Sequence, residues 1–297
     1  MSDKSKIEWT DATWNPVTGC TKVSQGCKNC YAERVFPRTY GSLRKFTDVR
    51  THPDRLEQPL HWRKPRRVFV NSMSDLFHED VPEVFIAAVF GVMLASRRHT
   101  FQVLTKRPAL MFEFLTNVPD IMALTCSALD QAGIERGCGS AFDDGDDWPL
   151  ENIWLGVSVE DQATASERIP LLLQTPAAVR FVSYEPALEW VDLKKYLLPT
   201  RGRPALDWLI CGGESGPGAR PFNVEWARST IAQCKAAGVA CFVKQLGANV
   251  ACREEDMFQS TGDTELGWRA WLRDPKGGDM DEWPADLRVR EFPDKTR

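Results

Sequence analysis

Several things this 297-residue chain lacks narrow its chemistry at once. No stretch reaches the apolar length of a membrane span, and the opening Met1 to Trp9 carries no apolar core of a secretion signal. Histidine is scarce: His52, His61, His78 and His99 stand singly, and no second Cys or His pair follows the Cys-x-x-Cys at Cys27–Cys30. A structural zinc site usually takes its ligands from two such pairs. Nine cysteines, an odd number without a secretion signal, argue for a reducing cytoplasm and against a disulfide framework. The acidic run Asp143-Asp144-Gly145-Asp146-Asp147 lacks the alternation and terminal Glu of a calcium loop, so a solvated loop is expected there. The expected location is the cytoplasm, with no membrane partner.

What is present is ordinary in bulk and uneven in detail. A net charge of −4 and 43% hydrophobic residues fit a globular protein of one barrel-sized domain or two smaller ones. Residues 1–110 hold 18 Lys and Arg against 11 Asp and Glu, while the remainder holds 19 against 30. The basic part includes Arg34, Arg38, Arg44, Lys45, Arg63, Lys64, Arg66, Arg67 and the pair Arg97-Arg98. Such asymmetry marks either a local nucleic-acid footprint or a solvated surface run.

Three cysteines, Cys20, Cys27 and Cys30, share one short segment. Three thiolates hold three irons of a [4Fe–4S] cube and leave the fourth open to chemistry. The competing readings of the same residues are half a zinc site and a redox pair.

Along the chain, short β-rich runs alternate with helical stretches. Strands are expected at 67–71, 100–104, 153–157, 179–182, 207–211 and 239–243, with one more leading into Cys20. Helices are expected after Pro82-Glu83, at 163–173 and at 224–238. This rhythm predicts an α/β fold with a parallel βα barrel, complete or partial, over residues 1–250. Residues 126–150 read as an acidic insertion. Residues 251–297 read as a C-terminal extension draped on the barrel through Trp268, Trp271 and Trp283. Most of the eleven tryptophans are expected in packing. Cys211, Cys234, Cys241 and Cys252 are expected to be buried small hydrophobes, and Cys126 and Cys138 to stay apart from the cluster segment. Nearly every strand ends in polar residues: Ser72, Ser74 and Asp75; Lys106; Ser158 and Glu160; Glu185; Glu214; Lys244 and Gln245. Functional groups collect at the C-terminal ends of barrel strands, so one lined cavity is expected, with Glu214 at its rim.

The run Asn15-Pro16, Gly19-Cys20, Gly26-Cys27-Lys28-Asn29-Cys30-Tyr31-Ala32-Glu33-Arg34 resembles the cluster loop of radical S-adenosylmethionine enzymes, above all the spore photoproduct lyase-like branch. Over about residues 5–250 the chain also resembles a phage-associated three-cysteine family of radical-SAM-like proteins. The shared segments are Ile7–Thr10, Asn71–Phe77, Leu104–Pro108, Gly156–Glu160 and Gly212–Gly216. Two features depart from the enzymes' usual loop: six residues separate Cys20 from Cys27 instead of three, and Asn29 replaces the aromatic before the last cysteine. The resemblance implies an enzyme with a [4Fe–4S] cluster on Cys20, Cys27 and Cys30 that binds S-adenosyl-L-methionine and makes a 5′-deoxyadenosyl radical. It further implies an electron donor of flavodoxin or ferredoxin type and a DNA, RNA or nucleobase substrate. The cofactor-binding candidates are Ser72, Ser74 and Asp75 on the second strand, Lys106 for a carboxylate, Ser158 and Glu160 for the ribose, with Glu185 and Glu214 on the cavity wall. Two other readings stay open. One is a zinc-stabilised nucleic-acid-binding protein without catalysis. The other is a barrel hydrolase using Glu160, Glu185 and Glu214 as carboxylate acid and base.

Overall fold

The computed structural model describes residues 5–117, 127–128, 148–200, 204–252, 260–264, 267–270 and 272–294. Cys126, Cys138, the acidic run 143–147, and the side chains of Trp268 and Trp271 lie outside the described residues. The fold is α/β, built on a seven-stranded parallel sheet. In hydrogen-bonded order its strands are β1 (Ala12–Trp14), β4 (Arg67–Val70), β5 (Thr100–Thr105), β6 (Ile153–Val159), β7 (Val179–Tyr184), β8 (Trp208–Gly212) and β10 (Ala240–Gln245). β1 and β10 end the order, which makes this the partial form of the expected barrel. The six strands expected with stated bounds, β4 to β8 and β10, begin within a residue of their expected starts, because apolar runs bounded by polar turns mark buried parallel strands sharply.

The chain divides into two compact units. The first comprises Met1–Lys22, Ala32–Val157 and Leu171–Arg180. A short antiparallel pair, β2 (Val17–Thr18) with β3 (Arg50–Thr51), braces the segment entering Cys20. The helix α1 (Tyr31–Tyr40) begins at the last residue of the second unit's cysteine segment and runs into the first. The helix α2 (Glu83–Ala95) follows Pro82 and buries every residue from Ile86 to Leu94. A helix apolar on all sides belongs in a core. Phe77, Phe90 and Phe114, the last from α3 (Pro108–Asn117), meet there at ring-centroid separations of 5.6–6.3 Å.

The second unit comprises Val23–Tyr31, Ser158–Pro170 and Phe181–Arg297. The helix α4 (Gln162–Gln174) starts within it. A short helix α5 (Lys194–Leu197) leads to β8. A longer one, α6 (Val224–Ala237), is capped by Asn223, whose side chain accepts from the Glu225 N–H at 2.9 Å. Residues 250–270 contribute strands that sequence periodicity did not show: β11 (Val250–Cys252), β12 (Ser260–Thr264) and β13 (Gly267–Ala270). They form a four-stranded sheet, in the order β12, β13, β11, β9, with β9 at Phe222–Asn223. The tail seals the exposed side of β10: Val243 N–H donates to Val289 O, and Glu291 N–H to Cys241 O, both at 2.8 Å. Covering a sheet edge removes a template for unwanted strand pairing. Trp283 is fully buried, with its indole N–H on Gly277 O and Arg290 stacked on its ring. Trp283 thus packs against other residues of the described part of the extension. Cys211, Cys234, Cys241 and Cys252 are all buried.

Candidate functional site at the cysteine segment

The cysteine segment passes from the first unit, which holds Cys20, into the second, which holds Cys27 and Cys30.

In the first unit, Gly19 must be glycine. Its φ is +93°, and a Cβ would lie 2.5 Å from the Asp48 carbonyl oxygen. The Cys20 N–H donates to Phe46 O at 2.9 Å. Beyond the end of β5, Arg107 turns its guanidinium under the segment, with only 6% of its side chain exposed. Nη1 donates toward Cys20 Sγ at 3.6 Å and Asp75 Oδ2 at 3.5 Å, Nε to Glu79 Oε2 at 2.7 Å, and Nη2 to Thr21 Oγ1 at 2.7 Å. Burial works against the Arg107 charge, but Glu79, Asp75 and Cys20 outweigh it and raise its pKa. Glu79 correspondingly drops to about 2; burial opposes this, and the hydrogen bond from Arg107 leads the opposing contributions. Thr21 Oγ1 also meets His78 Nε2 at 2.8 Å, while the Asp80 N–H donates to His78 Nδ1. An accepting Nδ1 places the ring proton on Nε2, so His78 donates to Thr21. Burial pushes the His78 pKa down, as does Arg107.

This environment gives the second-strand candidates structural partners. Asp75 is buried, and its oxygens accept from Thr105 Oγ1, Phe77 N, Lys106 N and Arg107. Ser72 Oγ donates to Asn15 Oδ1, and Ser74 Oγ to Val17 O. All three brace the approach to Cys20. Lys106 is half-buried beside Asp75, to which its backbone is bonded.

In the second unit, two carboxylates from strand ends grip the segment. Glu160, after β6, is 0% exposed. It accepts from Arg168 Nη1 at 3.2–3.3 Å and from Ser24 Oγ at 3.0 Å. A Cβ on Gly26 would fall 2.3 Å from Glu160 Oε1, so the backbone lies directly on the carboxylate. Ser24 has a single hydroxyl proton, given to Glu160, so the Cys27 thiol is the donor in the 3.9 Å Ser24–Cys27 contact. Glu214, after β8, is bound by Arg220 through Nε, Nη2 and its backbone N–H, and by Asn29 Nδ2 at 2.9 Å. Arg220 reaches on to Gln25 O at 3.0 Å, and Asn29 to Gly218 O. Burial alone would raise the Glu214 pKa, but the Arg220 and Asn29 hydrogen bonds bring it below the usual carboxylate value. The residue that departs from the usual loop, Asn29, thus has a definite partner.

Buried Ser158 offers its carbonyl to Arg168. Glu185 pairs with Lys244 Nζ at 2.8 Å, both partly exposed at the ends of β7 and β10. Of the sequence candidates, the first unit thus gathers Cys20 with Asp75, and the second gathers Cys27 with Glu160 through Ser24 and Gly26. Glu214 joins the latter segment through Asn29. Arg107, Arg168, Arg220, Ser24 and Asn29 were missed as site residues. Arg107 had a signal, since it directly follows Lys106 within Leu104–Pro108.

The basic run lies elsewhere. Arg63, Lys64 and Arg66 precede β4, and Arg67 begins it, whereas Ser72–Asp75 follow its other end. The strand separates the two groups by roughly 10 Å at 3.3 Å per residue. Arg67 pairs with Asp11, Arg66 stacks on Trp62, and Arg98 donates to Trp62 and Leu60 carbonyls.

Cys20, Cys27 and Cys30 are all thiols and all partly exposed, unlike the four buried cysteines. Thiolates are the protein donors of iron–sulfur clusters. Among the described residues, no three His, Cys, Asp or Glu side chains are drawn together as a preformed metal site. No helix among them is long and apolar enough to cross a membrane.

A family model described as "Protein of unknown function (DUF5131)" matches residues 4–275, and the chain belongs to that family. No curated protein and no solved structure matches it.

Proposed function

We propose that this member of the family is a radical S-adenosylmethionine enzyme acting on a nucleic acid or nucleobase. Cys20, Cys27 and Cys30 are the cluster ligands. The observation that carries the reading is the contrast among the cysteines: four are buried as small hydrophobes, whereas these three stay half-exposed on a segment fastened by buried charged groups. Reactive cysteines sit in partly exposed, polar surroundings, whereas buried structural cysteines are inert. Cys20, Cys27 and Cys30 would hold a [4Fe–4S] cluster, which when bound would supply the electron for reductive cleavage of S-adenosylmethionine.

The chain's own residues hold that chemistry in place. Arg107 directs an N–H at the Cys20 sulfur, the kind of hydrogen bond that tunes a cluster. Glu160 and Glu214 fix the segment of Cys27 and Cys30 by its backbone and neighbours. The Glu185–Lys244 pair, partly exposed and outside those braces, offers a cation for a carboxylate and an acceptor for hydroxyls. Lys106, Ser72 and Ser74 are the corresponding polar groups of the first unit. The hydrolase alternative is weakened because Glu160, Glu185 and Glu214 are all ion-paired. In particular, the lowered pKa of Glu214 makes it a poor proton donor near neutrality.

Anaerobic reconstitution with iron and sulfide tests this reading. The expected result is stoichiometric iron and sulfide, visible cluster absorbance, and 5′-deoxyadenosine after adding S-adenosylmethionine and dithionite. All three should disappear when the three cysteines become alanine. Tight zinc binding with no sulfide uptake would replace this reading with the zinc-stabilised one.

A further inference from the structure

The first unit carries an open basin of about 500 Å³ lined by Leu43, Arg44, Lys45, Thr47, Asp48 and Arg50. Three cations share it with one carboxylate. Asp48 Oδ2 accepts from Arg50 Nε at 2.9 Å and Nη2 at 2.5 Å, and stands 3.5 Å from Arg44 Nε. Burial, and then repulsion from Arg50, hold the Arg44 pKa below its ordinary value despite Asp48. Lys45 and Thr47 are exposed to solvent. Arg44 stacks against Phe36 and Tyr40 at 4.9 and 5.5 Å, and Leu43 is fully exposed, so apolar surface adjoins the charge.

The basin is also tied to Cys20. Phe46, inside the lining run, accepts from the Cys20 N–H; Arg44 Nη2 donates to Thr18 O at 3.1 Å; and Gly19 packs on the Asp48 carbonyl. The run Arg63–Arg67, by contrast, flanks the opposite end of β4 from Ser72–Asp75.

We infer that the basin formed by Arg44, Lys45, Thr47 and Arg50 is a phosphate-docking subsite that seats a single-stranded nucleic acid beside Cys20. A phosphate gives Lys45 an anionic partner, Arg50 a second one beside Asp48, and Thr47 a hydroxyl contact. Leu43, exposed in the lining, gives a base an apolar surface to pack against. Several cations in an open basin suit a strand, which brings successive phosphates, better than a single nucleotide. The inference rests on the proposed function and gives its substrate a place. Its test uses protein without iron, so the cluster chemistry and the docking site fail separately.

The probes are a short fluorescent oligothymidylate, the matching oligouridylate and thymidine monophosphate, titrated against the iron-free protein over a salt series. Arg44 also carries backbone hydrogen bonds, so the variant is Lys45→Ala/Arg50→Ala, at two exposed positions, with folding checked by circular dichroism. Wild type should bind the oligonucleotides at low salt. The double variant should lower the salt slope by about 1.4, at about 0.7 for each phosphate of a single strand no longer neutralised. Arg63→Ala/Lys64→Ala/Arg66→Ala/Arg67→Ala should leave the slope unchanged. No wild-type binding at low salt would overturn the inference. So would an unchanged slope in the double variant, or a weakening confined to the quadruple one. Monophosphate binding as tightly as the oligonucleotides would overturn the strand as ligand.

Discussion

The first unit holds its part of the cysteine segment with a cation, while the second holds its part with anions. Around Cys20 the central group is Arg107, flanked by Asp75 and Glu79, and one guanidinium N–H reaches the sulfur itself. Around Cys27 and Cys30 the central groups are Glu160 and Glu214, neutralised from behind by Arg168 and Arg220. They hold the segment at Ser24, Gly26 and Asn29. The difference separates two tasks. An anion placed on the Cys20 sulfur meets a compensating charge, so that side combines support with electrostatics. The other side supplies mainly position.

The largest effects test that division. Arg168→Met removes the cation paired with buried Glu160, which keeps Ser24, and Arg107→Met the cation paired with Asp75, which keeps its hydrogen bonds from Thr105, Phe77 and Lys106. Each should cost about 3–5 kcal/mol, the usual penalty for breaking a buried pair. Urea denaturation measures both. Replacing each pair by neutral groups should separate the tasks. Glu160→Gln/Arg168→Met should recover much of the stability and retain iron after reconstitution. Asp75→Asn/Arg107→Met should recover stability but lose cluster absorbance, because the donor to Cys20 is gone. Equal iron retention in the two double variants would erase the distinction drawn between the units.

Smaller effects probe how tightly the second unit positions its segment. Gly26→Ala forces a Cβ to 2.3 Å from Glu160 Oε1 and 2.4 Å from its Cγ. The whole buried carboxylate must shift, so overpacking of about 1–3 kcal/mol is expected. Asn29→Leu removes one donor to a charged acceptor and should cost about 1.5–3 kcal/mol. If Asn29→Leu leaves both stability and the alkylation rates of Cys27 and Cys30 unchanged, the Glu214 brace does not position them.

These braces mark the boundary of what the sequence made legible. The sheet was readable because runs such as Thr100–Thr105 and Trp208–Gly212 are apolar and end abruptly in polar residues. The three clustered cysteines were legible for the same local reason. What periodicity could not show was the direction of the strand-end side chains. Glu160 and Asp75 are buried on partners, Ser24 and Arg107, that lie far away in sequence, so local periodicity could not show those pairings. The sheet at 250–270 was hidden too, since its short polar strands lack an apolar alternation.

The finest test of the comparison is acid. His78 in the first unit has a pKa below the ordinary value of about 6.5. The folded state therefore favours the neutral ring. That stabilisation is complete above about pH 6.5 and is lost as pH falls through the lower folded value. Burial and Arg107 both oppose protonation, while Glu79, Asp80 and Asp75 favour it and are outweighed. A protonated Nδ1 also cannot accept from the Asp80 N–H. Glu214 in the second unit is likewise lowered, but from the carboxylate range of about 4.3. Its contribution is complete above that pH and is lost only further into acid, as pH falls through its folded value. Hydrogen exchange, corrected for the intrinsic pH dependence, should therefore show residues 18–22 loosening at a higher pH than residues 24–30. His78→Gln, with an amide to donate to Thr21, should move the first transition down toward the second. Simultaneous loosening of both segments in the wild type would mean that they respond as one element, and that the opposite charges of their braces carry no separate consequence.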